Sequence, residues 1–173
     1  MMLFALLALT ASNTSADTSM NPLQEARNGS VQCYQPDDQQ RTCQSIASYV
    51  PTGRTTYANK AVVLLSPNGP VILETITPVT VRAGAVCGFI RAEDVRAGKL
   101  HVAGKLLTDA EAAPMLGQVV QSMNGIMGQE ICTSYVQTAD GLTAKATMDG
   151  VYQAGADQRV KWVQPADGYS VTP

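Results

Sequence analysis

Few residues in this chain have the chemistry to bond, ligate or attack. Cysteines stand at positions 33, 43, 87 and 132, and His101 is the single histidine. No pair of cysteines has Cys-x-x-Cys spacing, which argues against a thiol oxidoreductase and a zinc ribbon. An even, widely spaced set reads instead as two disulfides. Cys33 and Cys43 lie at matching distances from a polar turn centred on Asp37 and Asp38. They are expected to pair across it, which leaves Cys87 for Cys132. Chain entropy makes such bridges worth roughly 3 and 4 kcal/mol before strain is subtracted.

Any histidine-dependent reaction would have to use His101. It falls between Leu100 and Val102 on an expected strand, beside Lys99 and Lys105, so inward-facing neighbours would turn it to solvent. Neither a Gly-x-Ser-x-Gly elbow nor an acid at diagnostic spacing accompanies it, and a surface histidine is the plainer reading. Glu74 is the acid that stands out, because it interrupts the apolar run Val71–Ile76. It either faces water or meets a base such as Arg82 or Lys60. Asp37-Asp38, Glu93-Asp94 and Asp109/Glu111 sit where turns and helix starts favour acids without catalysis. Met115, Met123 and Met127 have the softness for monovalent copper, but they share a helical arc with Leu116, Val119 and Val120, where methionine fills core gaps. No cofactor or metal is assigned. Trp162 and the tyrosines Tyr34, Tyr49, Tyr57, Tyr135, Tyr152 and Tyr169 lie on or beside expected strands. Rings gathered on one sheet face would form a contact surface for a protein, peptide or glycan; rings tucked at sheet edges would not.

The elements that must position these groups are mainly strands. Tyr57–Leu65 and Val71–Thr77 flank Ser66-Pro-Asn-Gly-Pro, a turn in which Pro67 sets the first residue and Gly69 supplies a positive φ. Val79–Ala83 and Ala85–Ile90 follow around Gly84. Ile131–Gln137 and Leu142–Met148 flank Asp140-Gly141, a strong hairpin signal, and Val151-Tyr152 and Val160–Val163 finish the set. Between these groups, Arg91–Ala97 reads as one or two helical turns. Thr108 with Glu111 three residues later forms a capping box, followed by apolar residues from Met115 to Met127 at helical spacing. The expected architecture is α+β: an antiparallel sheet, a meander plus C-terminal hairpins, with one principal amphipathic helix packed on it and two disulfides.

The 173 residues carry a net charge of −2, with 15% charged and 45% apolar residues. That balance fits one folded domain and lacks the basic excess of a nucleic-acid partner. Leu3–Leu9 is apolar and is followed by small residues, the pattern of a signal peptide cleaved after Ala16. It is too short to span a bilayer, and no transmembrane segment is expected. The domain reading is therefore a signal peptide over 1–16, a flexible segment over 17–29 and one α+β domain over 30–173. Functionally, a periplasmic or secreted non-catalytic binding or envelope-accessory protein is expected, with a protein or glycan partner, an inhibitor of a secreted hydrolase being one form. The alternatives are a small secreted hydrolase using Glu74 or His101, and a purely structural envelope component. A concave cavity with perturbed acids would favour the hydrolase, a flat tyrosine-lined face without one would favour binding, and a structural component would show neither.

Overall fold

The computed structural model describes residues 21–172, so Leu3–Leu9 and the expected cleavage site lie outside the described residues. The strands are β1 (Val31–Tyr34), β2 (Thr42–Cys43), β3 (Ser45–Pro51), β4 (Thr56–Ser66), β5 (Val71–Arg82), β6 (Ala85–Phe89), β7 (Lys99–Val102), β8 (Lys105–Leu106), β9 (Glu130–Thr138), β10 (Gly141–Met148), β11 (Val151–Tyr152), β12 (Gln158–Val163) and β13 (Ser170–Val171). The helices are α1 (Ala92–Arg96) and α2 (Asp109–Ser122).

Eight strands close into one antiparallel barrel in the order β1-β3-β4-β5-β6-β9-β10-β12, and β12 returns to β1. Each wall strand lies beside the next wall strand along the chain, an up-and-down connectivity. This overturns the expected α+β arrangement. The fold is mostly β, and the meander and the C-terminal hairpins are parts of one closed wall rather than an open sheet. Closure places Val31 opposite Val163 and Tyr34 opposite Val160. It removes the two open edges, with their unpaired backbone groups, that a flat sheet would leave.

Local chemistry accounts for the turns. Ala83-Gly84 (φ 48° and 74°) joins β5 to β6, and Asp149-Gly150 (φ 46° and 81°) joins β10 to β11. Two-residue turns with positive φ match the twist of antiparallel strands. The β4–β5 and β9–β10 hairpins form around the turns read from sequence.

β5 changes partner along its length. Thr80–Arg82 pair with β6, whereas Val71–Glu74 pair with β7. The wall opens between those stretches, β7 and β8 extend outward as a hairpin, and the two helices pack at the opening. Gly98 permits the close approach of α1 to β5, because a Cβ there would lie 2.9 Å from the Glu74 carbonyl oxygen.

The capping box starts α2: Thr108 N–H donates to Glu111 Oε2 at 2.8 Å, and Glu111 N–H to Thr108 Oγ1 at 3.4 Å. The helix runs continuously through Pro114. Its arc of Met115, Leu116, Val119, Val120 and Met123 packs with Leu73, Val95 and fully buried Leu100. α2 thus covers one end of the barrel rather than one face of a sheet. At the other end of β4, Asn21 donates from Nδ2 to the Tyr57 hydroxyl at 2.9 Å, and buried Leu23 joins Tyr57 and Val79 in the core.

Both disulfides lie on the outer side of the wall. Cys87 and Cys132 face each other across β6 and β9, with a Cα–Cα distance of 4.0 Å. Cys33–Cys43 is arranged differently from the expected cross-hairpin bridge. The residue opposite Cys33 on β3 is Ile46, and Cys43 lies in β2, a loop strand that pairs with β13. This bridge fastens the loop and the C-terminal strand over the outside of β1, where Cys33, Cys43 and Val163 form a small buried cluster.

Candidate functional site

Side chains alternate across each wall strand, so one set faces the lumen. That set includes Gln32 and Tyr34 on β1, Tyr49 on β3, Asn59 and Val63 on β4, Thr75 and Thr77 on β5, and Thr133 and Tyr135 on β9. The lumen holds a cavity of about 350 Å³, lined by these tyrosines, Asn59 and the threonines, together with apolar residues of the wall and Val95, Val119 and Met123 of the helices. Eight-stranded barrels are either filled by side chains or keep room for one small ligand, and this volume sits near the lower end of ligand pockets, roughly 300–1,000 Å³.

The polar part of the lumen is built around Gln32, which is fully buried. Its Oε1 lies 3.0 Å from the Tyr34 hydroxyl, 2.9 Å from that of Tyr49 and 3.1 Å from that of Tyr135. The Tyr34 and Tyr135 hydroxyls are also 2.9 Å apart. A carbonyl oxygen accepts two such bonds, so two hydroxyls donate to Oε1 and the third donates to a neighbouring hydroxyl. Burial pushes the Tyr34 and Tyr49 phenols well above their usual value and keeps both protonated. Two buried atoms of this interior have no hydrogen-bond partner among the described residues: Gln32 Nε2 and Asn59 Oδ1. Buried amide groups are normally hydrogen-bonded, which makes these two atoms exceptions.

Charge is nearly absent from this lining. Arg91 and Asp94, at the end covered by the helices, are its charged members and are bonded to each other at 2.9 Å (Nε–Oδ2) and 2.6 Å (Nη2–Oδ1). The charges of the wall, including Lys60, Glu74, Arg82, Lys145 and Lys161, fall on the outer face. This reverses the apolar-out, polar-in pattern of membrane barrels. Among the described residues, no helix is long and apolar enough to cross a membrane.

The residues singled out from sequence fall in different places. Glu74 and His101 do come together, on the outer wall: His101 Nε2 is 3.0 Å from Glu74 Oε1, and Lys60 Nζ is 3.0 Å from Glu74 Oε2. The Lys60 hydrogen bond, more than any other contact, holds the Glu74 carboxyl below its usual range. An ionised Glu74 held by two bases is suited to accepting hydrogen bonds rather than to delivering a proton. A second cavity of about 250 Å³ beside it is lined by Glu74, Lys60, Lys99 and Asp94 but not by His101. Trp162 lies opposite Gln32 and packs against the lumen core. Tyr34, Tyr49, Tyr57 and Tyr135 point into the barrel, so they do not assemble an outer contact face. Met115, Met123 and Met127 belong to the cluster under α2.

Sequence reasoning did not reach Gln32 or Asn59. Each is one polar residue in a strand and reads as solvent-facing until the wall closes around it. Comparison with protein-family models, with curated proteins and with solved structures finds no match to this chain.

Proposed function

We propose that this chain is a non-catalytic binding protein that takes one small, mainly apolar molecule into its barrel lumen. The observation that carries the reading is a mainly apolar cavity of about 350 Å³ inside the barrel, with Asn59 and the rings of Tyr34, Tyr49 and Tyr135 among its lining. Apolar walls supply affinity through burial, and a few placed polar groups fix orientation. Leu65 and Phe89, both half-exposed and both part of the lining, give the helix-covered end an apolar rim for entry. The two disulfides are compatible with an oxidising, exported location. With the apolar N-terminal run they support a periplasmic or secreted carrier.

An uncharged fluorescent naphthylamine probe tests the reading. The wild-type protein is expected to bind it saturably at one site. Val63→Trp, which places an indole in the lumen, is expected to weaken binding by roughly tenfold or more while retaining a cooperative melt. Equal binding by both proteins would place the probe elsewhere and overturn the reading.

A further inference from the structure

We infer that the lumen is entered through the side of the barrel, at a slit between β5 and β6, with the Phe89 ring as its door; this rests on the lumen being a binding site. The slit follows from the pairing. β5 is bonded to β6 only at Thr80–Arg82, and β7 takes over on that side at Val71–Glu74. The stretch Thr75–Val79 between them pairs with β4 alone, and Gly88 and Phe89 of β6 pair with β9 alone. Continuing the β5–β6 register would set Pro78 opposite Phe89. Proline has no N–H to give a ladder, so the pairing stops short of it. Gly88 keeps the two strands close across the break: a Cβ on it would lie 3.0 Å from Val79 Cγ1 and 3.4 Å from the Pro78 carbonyl oxygen.

Cavities lie on both sides of this break. The lumen cavity reaches it at Val79, Gly88 and Phe89. The same residues line a groove of about 350 Å³ on the outer wall, together with Pro78, Thr80 and Arg82. Phe89 is 53% exposed although it borders the lumen, so its ring stands between the two spaces. Leu65 borders another way out, beneath α2, but that route passes Val119 and Met123, which pack with buried Leu73 and Leu100. Parting the α2 cluster would expose buried apolar surface, whereas swinging one half-exposed ring breaks no ladder bond.

Stopped-flow binding of the naphthylamine probe to the full protein tests the door. Phe89→Ala is expected to raise the association and dissociation rates together by roughly fivefold or more, because a conformational step that must accompany binding holds association down. The Kd then moves less than either rate. Gly88→Val, which sets a side chain against Val79 in the slit, is expected to slow both rates by a similar factor. Gln118→Trp, on the exposed side of the α2 mouth, is expected to leave both rates unchanged. An unchanged association rate in Phe89→Ala, or a slower one in Gln118→Trp, would overturn the side entrance while leaving a lumen site standing. If Gly88→Val does not melt cooperatively, Phe89→Ala against Gln118→Trp decides. Absence of saturable probe binding by the wild-type protein would overturn the binding reading together with this one.

Discussion

Tyr49 donates its hydroxyl proton to Gln32 Oε1 across 2.9 Å inside the barrel, and both residues are buried. The bond joins β1 to β3 from within and fixes the carboxamide against which Tyr34 and Tyr135 also close. Tyr49→Phe removes one hydroxyl and leaves Oε1 with two others, so a loss of about 1 kcal/mol is expected. Gln32→Leu strips both donating hydroxyls of their shared acceptor and should cost more, about 2–3 kcal/mol. Urea denaturation of the two variants checks the order. A smaller loss for Gln32→Leu than for Tyr49→Phe would contradict the role of Gln32 as the hub.

Burial also sets an alkaline limit. The Tyr34 and Tyr49 phenols are raised in the folded protein, so their contribution to stability is intact below the ordinary phenol value of about 10 and declines above it. In that range the unfolded chain releases protons that the folded one keeps. Stability measured by denaturant at increasing pH is expected to fall from there, and the Tyr34→Phe/Tyr49→Phe double variant is expected to fall less steeply. Parallel declines would separate the effect from these two rings.

On the outer wall the sign is opposite. Glu74 is lowered, first by the Lys60 hydrogen bond, so its contribution is present above the ordinary glutamate range and is lost as pH falls through the lowered value. Lys60 is half-exposed and the pair is screened, which keeps the effect of Glu74→Gln within about 1 kcal/mol at neutral pH. The same substitution should leave probe binding in the lumen unchanged. Loss of probe binding in Glu74→Gln would move the site to the outer wall.

The disulfides should differ in weight. Cys87–Cys132 spans 45 residues and Cys33–Cys43 spans 10. Loop entropy assigns them about 4 and about 3 kcal/mol. Denaturation of the paired serine variants is expected to show the larger loss for Cys87/Cys132. Intact mass before and after reduction checks that all four thiols react only once reduced.

Local features of the fold were legible, and its closure was not. Asp140-Gly141 and the Thr108/Glu111 box act over a few residues, so their chemistry can be read directly from neighbours. Closure depends on Val31–Tyr34 meeting Gln158–Val163, a pairing that no local signal specifies. Closing the wall also changes what a polar residue in a strand means. Val31 and Cys33 look like the core side of β1 and Gln32 like the wet side, yet Cys33 is buried outside, under β2 and β13, and Gln32 lies inside. The same reversal hid Asn59. Glu74 stood out in the sequence as an acid in an apolar strand and His101 as the single histidine, and the structure does bring them together. They meet on the outside, away from the lumen.

The most direct test of the central claim is amide-resolved NMR of the nitrogen-15-labelled protein titrated with the naphthylamine probe. Shifts that saturate at one equivalent and are largest at Tyr34, Asn59, Thr75, Thr133, Val119 and Met123 are the predicted result. Absence of saturable shifts, or shifts centred on Lys60, Glu74 and His101, would contradict a binding site in the barrel lumen.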